Sequence, residues 1–347
     1  MMRVTICCCS IVLLTTAAIQ VTFAQAPITV TVGAAGTTSD APIYIADRKG
    51  YFREEGLTAK VTNFRSAADM VAPLGIGQLD AGAGSASAGL YNAMLQGIKI
   101  KIVADKASSA PGYGATKVLV RKDHVDSGRY KSPLDFKGMK FAMNAPGVSN
   151  TATLNALLKS VGLKYSDVDT INMPFPDHVA ALANKGVDAS ASVEPGPTIA
   201  IKNGFAVLVK ADDEIIPHHQ IAVLLYSENF VKKPDVARRF MRAYLRGVRF
   251  YNGALQDGRM AGPNADEVVS LLTEFTFIKD AKVHREITPA AIDPDGKLNL
   301  KGLRNDLAFF KELKLLQDPN MTVERIVDTS IAEQAAKELG PYRARRN

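Results

Sequence analysis

ITVTVGAAGTTSDAPIYIADRKGYFREEGLTAKVTNF, residues 28–64, changes its periodicity twice. Ile28 to Val32 is a β-branched run and reads as a strand. Gly33 to Asp40 is small and polar, hence a loop. Ser39 or Asp40 can cap a helix running to about Lys49, with Pro42 tolerated in its first turn. Gly50 follows near the C-cap position, and Leu57 to Phe64 reads as a second strand. A strand, a helix and a strand in this order are the unit of a parallel sheet.

The pattern continues downstream. Ala67 to Ile76 reads as a short helix and Asp80 to Ala83 as a short strand. The loop Gly82 to Ser87 leads to a helix closed by Gly97, and Ile98 to Ala104 is a strand. Ser108 to Gly114, with Pro111, Gly112 and Gly114, reads as a linker into a second set. That set has strands at 117–120, 140–143, 169–172, 187–193 and 206–210, and helices at 150–161 and 177–184. The strand Gln220 to Tyr226 is expected to return to the first set. After it the chain turns helical, at about 234–251, 264–277, 300–314 and 322–338, with a turn at Asp293 to Gly296. On the helix from Pro234, Val236, Phe240, Tyr244 and Val248 share one face. Arg238, Arg242, Arg246 and Arg249 share another, a solvated face or a docking surface.

The N-terminus bears on compartment. One basic residue, Arg3, precedes the apolar run Ile6 to Val21, and Ala24-Gln25-Ala26 resembles a signal-peptidase site. Residues 1–26 are expected to be a secretory signal peptide, which places the mature chain in a periplasm. All three cysteines, Cys7, Cys8 and Cys9, fall inside that segment. A mature chain without cysteine forms no disulfide and offers no thiolate nucleophile or thiolate metal ligand. The 320 or so remaining residues suit two domains. Net charge is +7, or +6 without Arg3, with basic residues dispersed rather than clustered. That argues against nucleic acid and suits collection of anions.

Three loops carry the chemistry: Thr37 to Ala41, Gly84 to Ser87, and Pro146 to Thr151. Each joins a strand to a helix, where parallel sheets bind ligands and where helix N-termini offer free N–H groups. Each combines small residues with hydroxyls, which serve equally well as ordinary helix caps. Glu194, before Pro195, could face the cleft or could cap or salt-bridge at a hinge, and His218 and His219 could line the cleft or act at a hinge. No histidine pair has metal-ligand spacing, no glycine pattern completes a nucleotide loop, and no Gly-x-Ser-x-Gly elbow is present. The expectation is a binder with no metal, no cofactor and no catalytic residue.

The motif Ala41-Pro42-Ile43-Tyr44-Ile45-Ala46, then Gly50-Tyr51-Phe52, then Glu55-Gly56-Leu57 resembles the opening of the sulfonate, nitrate and taurine-type substrate-binding proteins of ABC transporters. This is the SsuA/THI5-like, NMT1-like group, which shares a domain with yeast thiamine-pyrimidine synthases. Gly77 to Gly82, Gly186 to Ala189 with Glu194-Pro195, Lys233-Pro234-Asp235 and Val327 to Ser330 are similar too, so the resemblance spans nearly the whole mature chain. Many relatives carry a tryptophan before the Glu-Pro step, where this chain has Val193.

The resemblance implies an α/β, type II periplasmic-binding-protein fold: two lobes with mostly parallel sheets and a ligand cleft between them. Residues 27–113 and 217–347 would form lobe 1, and 114–216 lobe 2. It implies ligand contacts at Ser39, Asp40, Ala41, Pro42 and Tyr44, at Gly84, Ser85, Ala86 and Ser87, at Gly147, Val148, Ser149, Asn150 and Thr151, and at Glu194. His218 joins them from its place in the chain. For an anionic ligand, Asp40 and Glu194 must be turned away or paired. The implied partners are a small-molecule ligand and an ABC permease with its ATPase, the binder itself being a monomer. An enzyme on the same fold, a pyrimidine synthase or a desulfinase, would need a cysteine that the mature chain lacks. A sensory role would use the same ligand chemistry with a different partner.

Overall fold

The computed structural model describes residues 26–276 and 278–343. The expected signal peptide, apart from Ala26, lies outside the described residues, as do its three cysteines. Ten strands build two five-stranded sheets. They are β1 (Ile28–Ala34), β2 (Leu57–Asn63), β3 (Ala81–Gly84), β4 (Ile100–Ser108), β5 (Thr116–Arg121), β6 (Lys140–Met143), β7 (Asp169–Asn172), β8 (Ala189–Val193), β9 (Ala206–Ala211) and β10 (Gln220–Ser227). The longer helices are α1 (Ala41–Arg48), α2 (Ala88–Leu95), α3 (Ser149–Ser160), α4 (Phe175–Ala183), α5 (Gly196–Lys202), α6 (Pro234–Asn252), α7 (Ala265–Phe275), α8 (Leu300–Glu312) and α9 (Ser330–Leu339).

The first sheet has the order β2-β1-β3-β10-β4, and the second β7-β6-β8-β5-β9. In the first, β10 is antiparallel to both β3 and β4, while β1 runs parallel to β2 and β3. In the second, β5 is antiparallel to both β8 and β9, while β6 runs parallel to β7 and β8. Each sheet is thus mostly parallel, with one reversed strand next to an edge. Both reversed strands begin where the chain passes from one sheet to the other, so the two sheets share one plan. β10 does return to the first sheet.

Packing explains the long helix α6. Phe240, Tyr244 and Val248 are fully buried against α1 and the first sheet, and the Phe240 ring stacks on Phe52 at 4.9 Å. Gly247 lets α6 approach closely, since a Cβ there would sit 2.2 Å from the Pro42 carbonyl oxygen. The arginine stripe is half-buried and paired with carboxylates rather than simply solvated. Arg242 pairs with Glu55 and Glu338, Arg246 with Glu54 at 2.6 Å, and Arg249 with Asp295 at 2.7 Å. The stripe straps α9 and the segment after α1 onto α6.

Sequence and structure part in several places. β4 runs to Ser108 rather than ending at Ala104. Its continuation carries Asp105 and Lys106, both buried, so polarity masked a strand whose charges are partnered inside the fold. Helix α5 is not among the expected elements, and Pro197 sits in its first turn, where proline is tolerated. The expected helix from 322 is a single turn at Val323–Arg325 followed by α9. Residue 277, the expected end of α7, lies outside the described residues.

Candidate functional site

Strands in each sheet end near the other sheet, and a cavity of about 50 Å³ lies between them. Its wall is built from strand ends. Ala35 follows β1, Arg65 follows β2, Gly84 closes β3 and Lys106 sits near the end of β4. From the second sheet come Asn144 after β6, Phe175 after β7 and Val193 closing β8. Thr37, Ser39, Ser85, Ser149 and Asn150 add loop hydroxyls and an amide, and Val148 and, from the start of β10, Ile221 and Ala222 add apolar surface. This is the carboxyl-end position at which open α/β sheets bind ligands.

The two sides already touch. The Ala88 N–H donates to the Gly147 carbonyl at 2.8 Å, and the Ser149 N–H donates to Ser85 Oγ at 3.0 Å. Gly147 has φ +61, and a Cβ on it would lie 2.6 Å from Ala88 Cβ. Only glycine fits that left-handed turn and that close approach. The contacts join the segment 84–88 beside the first sheet to the loop before α3 and to its first residue. The cavity is therefore closed down, smaller than the several hundred Å³ usual for a ligand pocket.

Lys106 is 2 % exposed, with its Nζ 2.9 Å from Asp40 Oδ1 and Asp40 fully buried. The ammonium donates to Ser39 Oγ at 2.8 Å and to Thr37 Oγ1 at 3.3 Å. Asp40 is not a cap for α1. Its Oδ2 turns back and accepts the Thr37 N–H at 2.8 Å and the Ala35 N–H at 3.2 Å, which folds the loop before the helix. Among the described residues Arg65, which is exposed, makes no ion pair with any carboxylate. Neither Asp40 nor Glu194 lies on the wall to repel an anion. Glu194 is fully buried, 2.5 Å from Lys117 Nζ, and accepts from the Thr198 hydroxyl at 2.9 Å and N–H at 3.1 Å. Lys117 also donates to Thr288 Oγ1 at 3.2 Å, tying β5 to the segment before α8. Of the alternatives for Glu194, the pairing role is the one the geometry shows.

Of the residues expected at the site, Ser39, Gly84, Ser85, Val148, Ser149 and Asn150 reach the cavity wall. The others do not, for reasons of packing. Ala41 and Pro42 are buried in the first turn of α1, under α6. Tyr44 stacks on Phe275 at 4.7 Å and donates to Asn63 Oδ1, so its ring points into a core. Ala86 packs in the apolar cluster of α2 and α8. Ser87 caps α2 by accepting the Leu90 N–H at 3.1 Å. Thr151 Oγ1 accepts the Val148 N–H at 3.4 Å and shapes the loop. Gly147 makes the approach to Ala88 already described. Arg65, Lys106, Asn144 and Phe175 were missed, yet each stands at the carboxyl end of a strand, where the rule that found the three loops applies equally.

His218 lines a separate open groove of about 790 Å³ between β4, β10 and the segment 291–305, on the crossing between the sheets. His219 is buried there with its Nε2 3.0 Å from both Asp306 carboxylate oxygens. Burial works against its proton, but Asp306 and Asp212 outweigh this and hold its pKa above the ordinary histidine value. Neither histidine reaches the cavity. Asp105 lines the same groove. Burial pushes it up to about 7, against donation from the Asp293 N–H at 2.7 Å and Gln220 Nε2 at 2.6 Å. A carboxyl raised in this way binds its proton more tightly folded than unfolded, so stability falls as pH rises from about 4 towards 7. Urea unfolding should therefore show wild type losing more stability between pH 5 and 8 than Asp105→Asn, by on the order of 2 kcal/mol. Equal losses would contradict this.

Among the described residues, no group of three histidine, cysteine, aspartate or glutamate side chains could hold a metal. A family model described as NMT1/THI5 like matches residues 37–253, well over half of the chain. The chain belongs to the NMT1/THI5-like family. A protein of Brachyspira hyodysenteriae assigned as an ABC transporter periplasmic binding protein is 24 % identical over 297 residues, covering 81 % of this chain and 82 % of its own. Among solved structures, the periplasmic nitrate-binding protein NrtA of Synechocystis superposes with a TM-score of 0.74 at 15 % identity, covering 90 % and 89 %. The alkanesulfonate-binding protein SsuA of Xanthomonas axonopodis, bound to MOPS, has a TM-score of 0.70 at 17 %, covering 88 % and 99 %. At these identities the likeness is one of fold. The same fold also serves an enzyme, since the desulfurization enzyme DszB superposes at 0.59 with 13 % identity, covering 90 % and 100 %. This NMT1/THI5-like chain thus has the type II binding-protein architecture that its opening motif implies.

Proposed function

We propose that this chain captures a small organic anion between two lobes, residues 27–113 with 217–347 and residues 114–216, and delivers it to an ABC permease and its ATPase. The observation that carries the reading is the cavity wall. It joins strand ends of both sheets, holds hydroxyls, an exposed arginine and a buried lysine, and includes no aspartate, glutamate, histidine or cysteine. Such a wall can bind an anion, its serines meet no histidine or carboxylate base on it, and its lysine is paired with Asp40. Relatives assigned or named as periplasmic binding proteins for nitrate or alkanesulfonate support the same class. The chain is read as acting as a monomer in a periplasm after release from residues 1–26, and no helix among the described residues is long and apolar enough to cross a membrane.

The small cavity means that a ligand enters when the lobes part, breaking the Ser149–Ser85 and Ala88–Gly147 bonds, and is held when they close. A thermal-shift screen of residues 27–347 against sulfonates, nitrate, carboxylates and aromatic acids tests this. A ligand at a hundred times its Kd should add about 2.7 kcal/mol of stability. Arg65→Ala should then weaken the hit by about tenfold, and Ser85→Ala and Ser149→Ala should weaken it less. A hit on a cationic or neutral compound that ignores Arg65→Ala would contradict the reading.

A further inference from the structure

Asp40 does not line the cavity, yet it stands behind Lys106, one of two cations on the wall. Asp40 Oδ1 has no aligned hydrogen-bond partner, although Lys106 Nζ lies 2.9 Å away. What it supplies to the ammonium is charge compensation rather than a directed bond. Arg65 is left as the uncompensated cation of the wall. Asp177 lines the shallower groove that Arg65 shares, and no ion pair forms between them. Resting on the anion-capture reading, we propose that Asp40 sets the charge of the ligand: by neutralising Lys106 it makes the site accept monoanions and refuse dianions. A second negative charge in the closed cavity would lose its water and find no free cation in exchange, which is selection by an unpaired charge. Lys106 keeps a separate task. By donating to Ser39 Oγ it fixes that hydroxyl at the wall.

Isothermal titration at about pH 8.5 with ethanesulfonate and ethylphosphonate tests the proposal, since the two share a shape but carry one and nearly two charges there. Wild type should prefer the sulfonate by roughly tenfold or more. Asp40→Asn uncovers Lys106 and should cut that preference by about tenfold or reverse it. Asp40→Asn with Lys106→Met has lost both charges, so it should bind more weakly in the wild-type order. A wild type that takes both alike, or an Asp40→Asn variant with unchanged preference, overturns the proposal and leaves anion capture standing. Binding of neither probe by any folded form overturns both. If Asp40→Asn alone does not fold, the double variant carries the test, because a double that takes the two probes alike overturns the proposal.

Discussion

Lys106→Met should cost the fold about 3–5 kcal/mol, the usual result of stripping one partner from a buried ion pair. The loss has a definite site. Asp40 is fully buried and would keep only the Thr37 and Ala35 N–H groups and the Thr37 hydroxyl as partners. The loop between β1 and α1 would then carry an uncompensated charge. Ser39 and Thr37 would also lose their shared donor. Adding Asp40→Asn should recover most of the loss, since a neutral amide can still accept the two backbone N–H groups. Urea unfolding of the wild type, the single and the double variant reads this directly. A single variant within 1 kcal/mol of wild type would show that the pair is not buried in solution as it is here.

Lys117→Met should be comparably severe, again about 3–5 kcal/mol. Glu194 is fully buried and would retain Thr198 but lose its cation. The lysine's bond to Thr288 would go as well, loosening β5 from the segment before α8. Lys117→Met with Glu194→Gln should regain much of the stability. Unlike the change at Lys106, this one is away from the cavity wall. The double variant should therefore bind the ligand found in the screen with an affinity close to wild type, measured by titration. A large loss of affinity in the stable double variant would return Glu194 to the site.

Much of the fold was legible because its signals are local. The β-branched run at 28–32, the glycine after α1 and the alternation of strand and helix each act over a few residues. The site was only partly legible, because its electrostatics are not local. Asp40 and Lys106 meet from β1's loop and from β4. Read alone, Asp105 and Lys106 look like the end of a strand rather than its buried continuation. Tyr44 illustrates the opposite error: it sits inside the family-like motif, but helix periodicity turns its ring to Phe275 and away from the cavity. The hydroxyl loops held two readings, and both were realised. Ser87 caps a helix, while Ser39, Ser85 and Ser149 face the cavity.

The most direct test is a crystal structure of residues 27–347 with the anion that gives the largest thermal shift. The account places its charged group between Ser39 and Arg65 on one side and Ser149 and Asn150 on the other, with both sheets contributing contacts. Density for the anion in the open groove beside His218, or against one sheet alone, would contradict it.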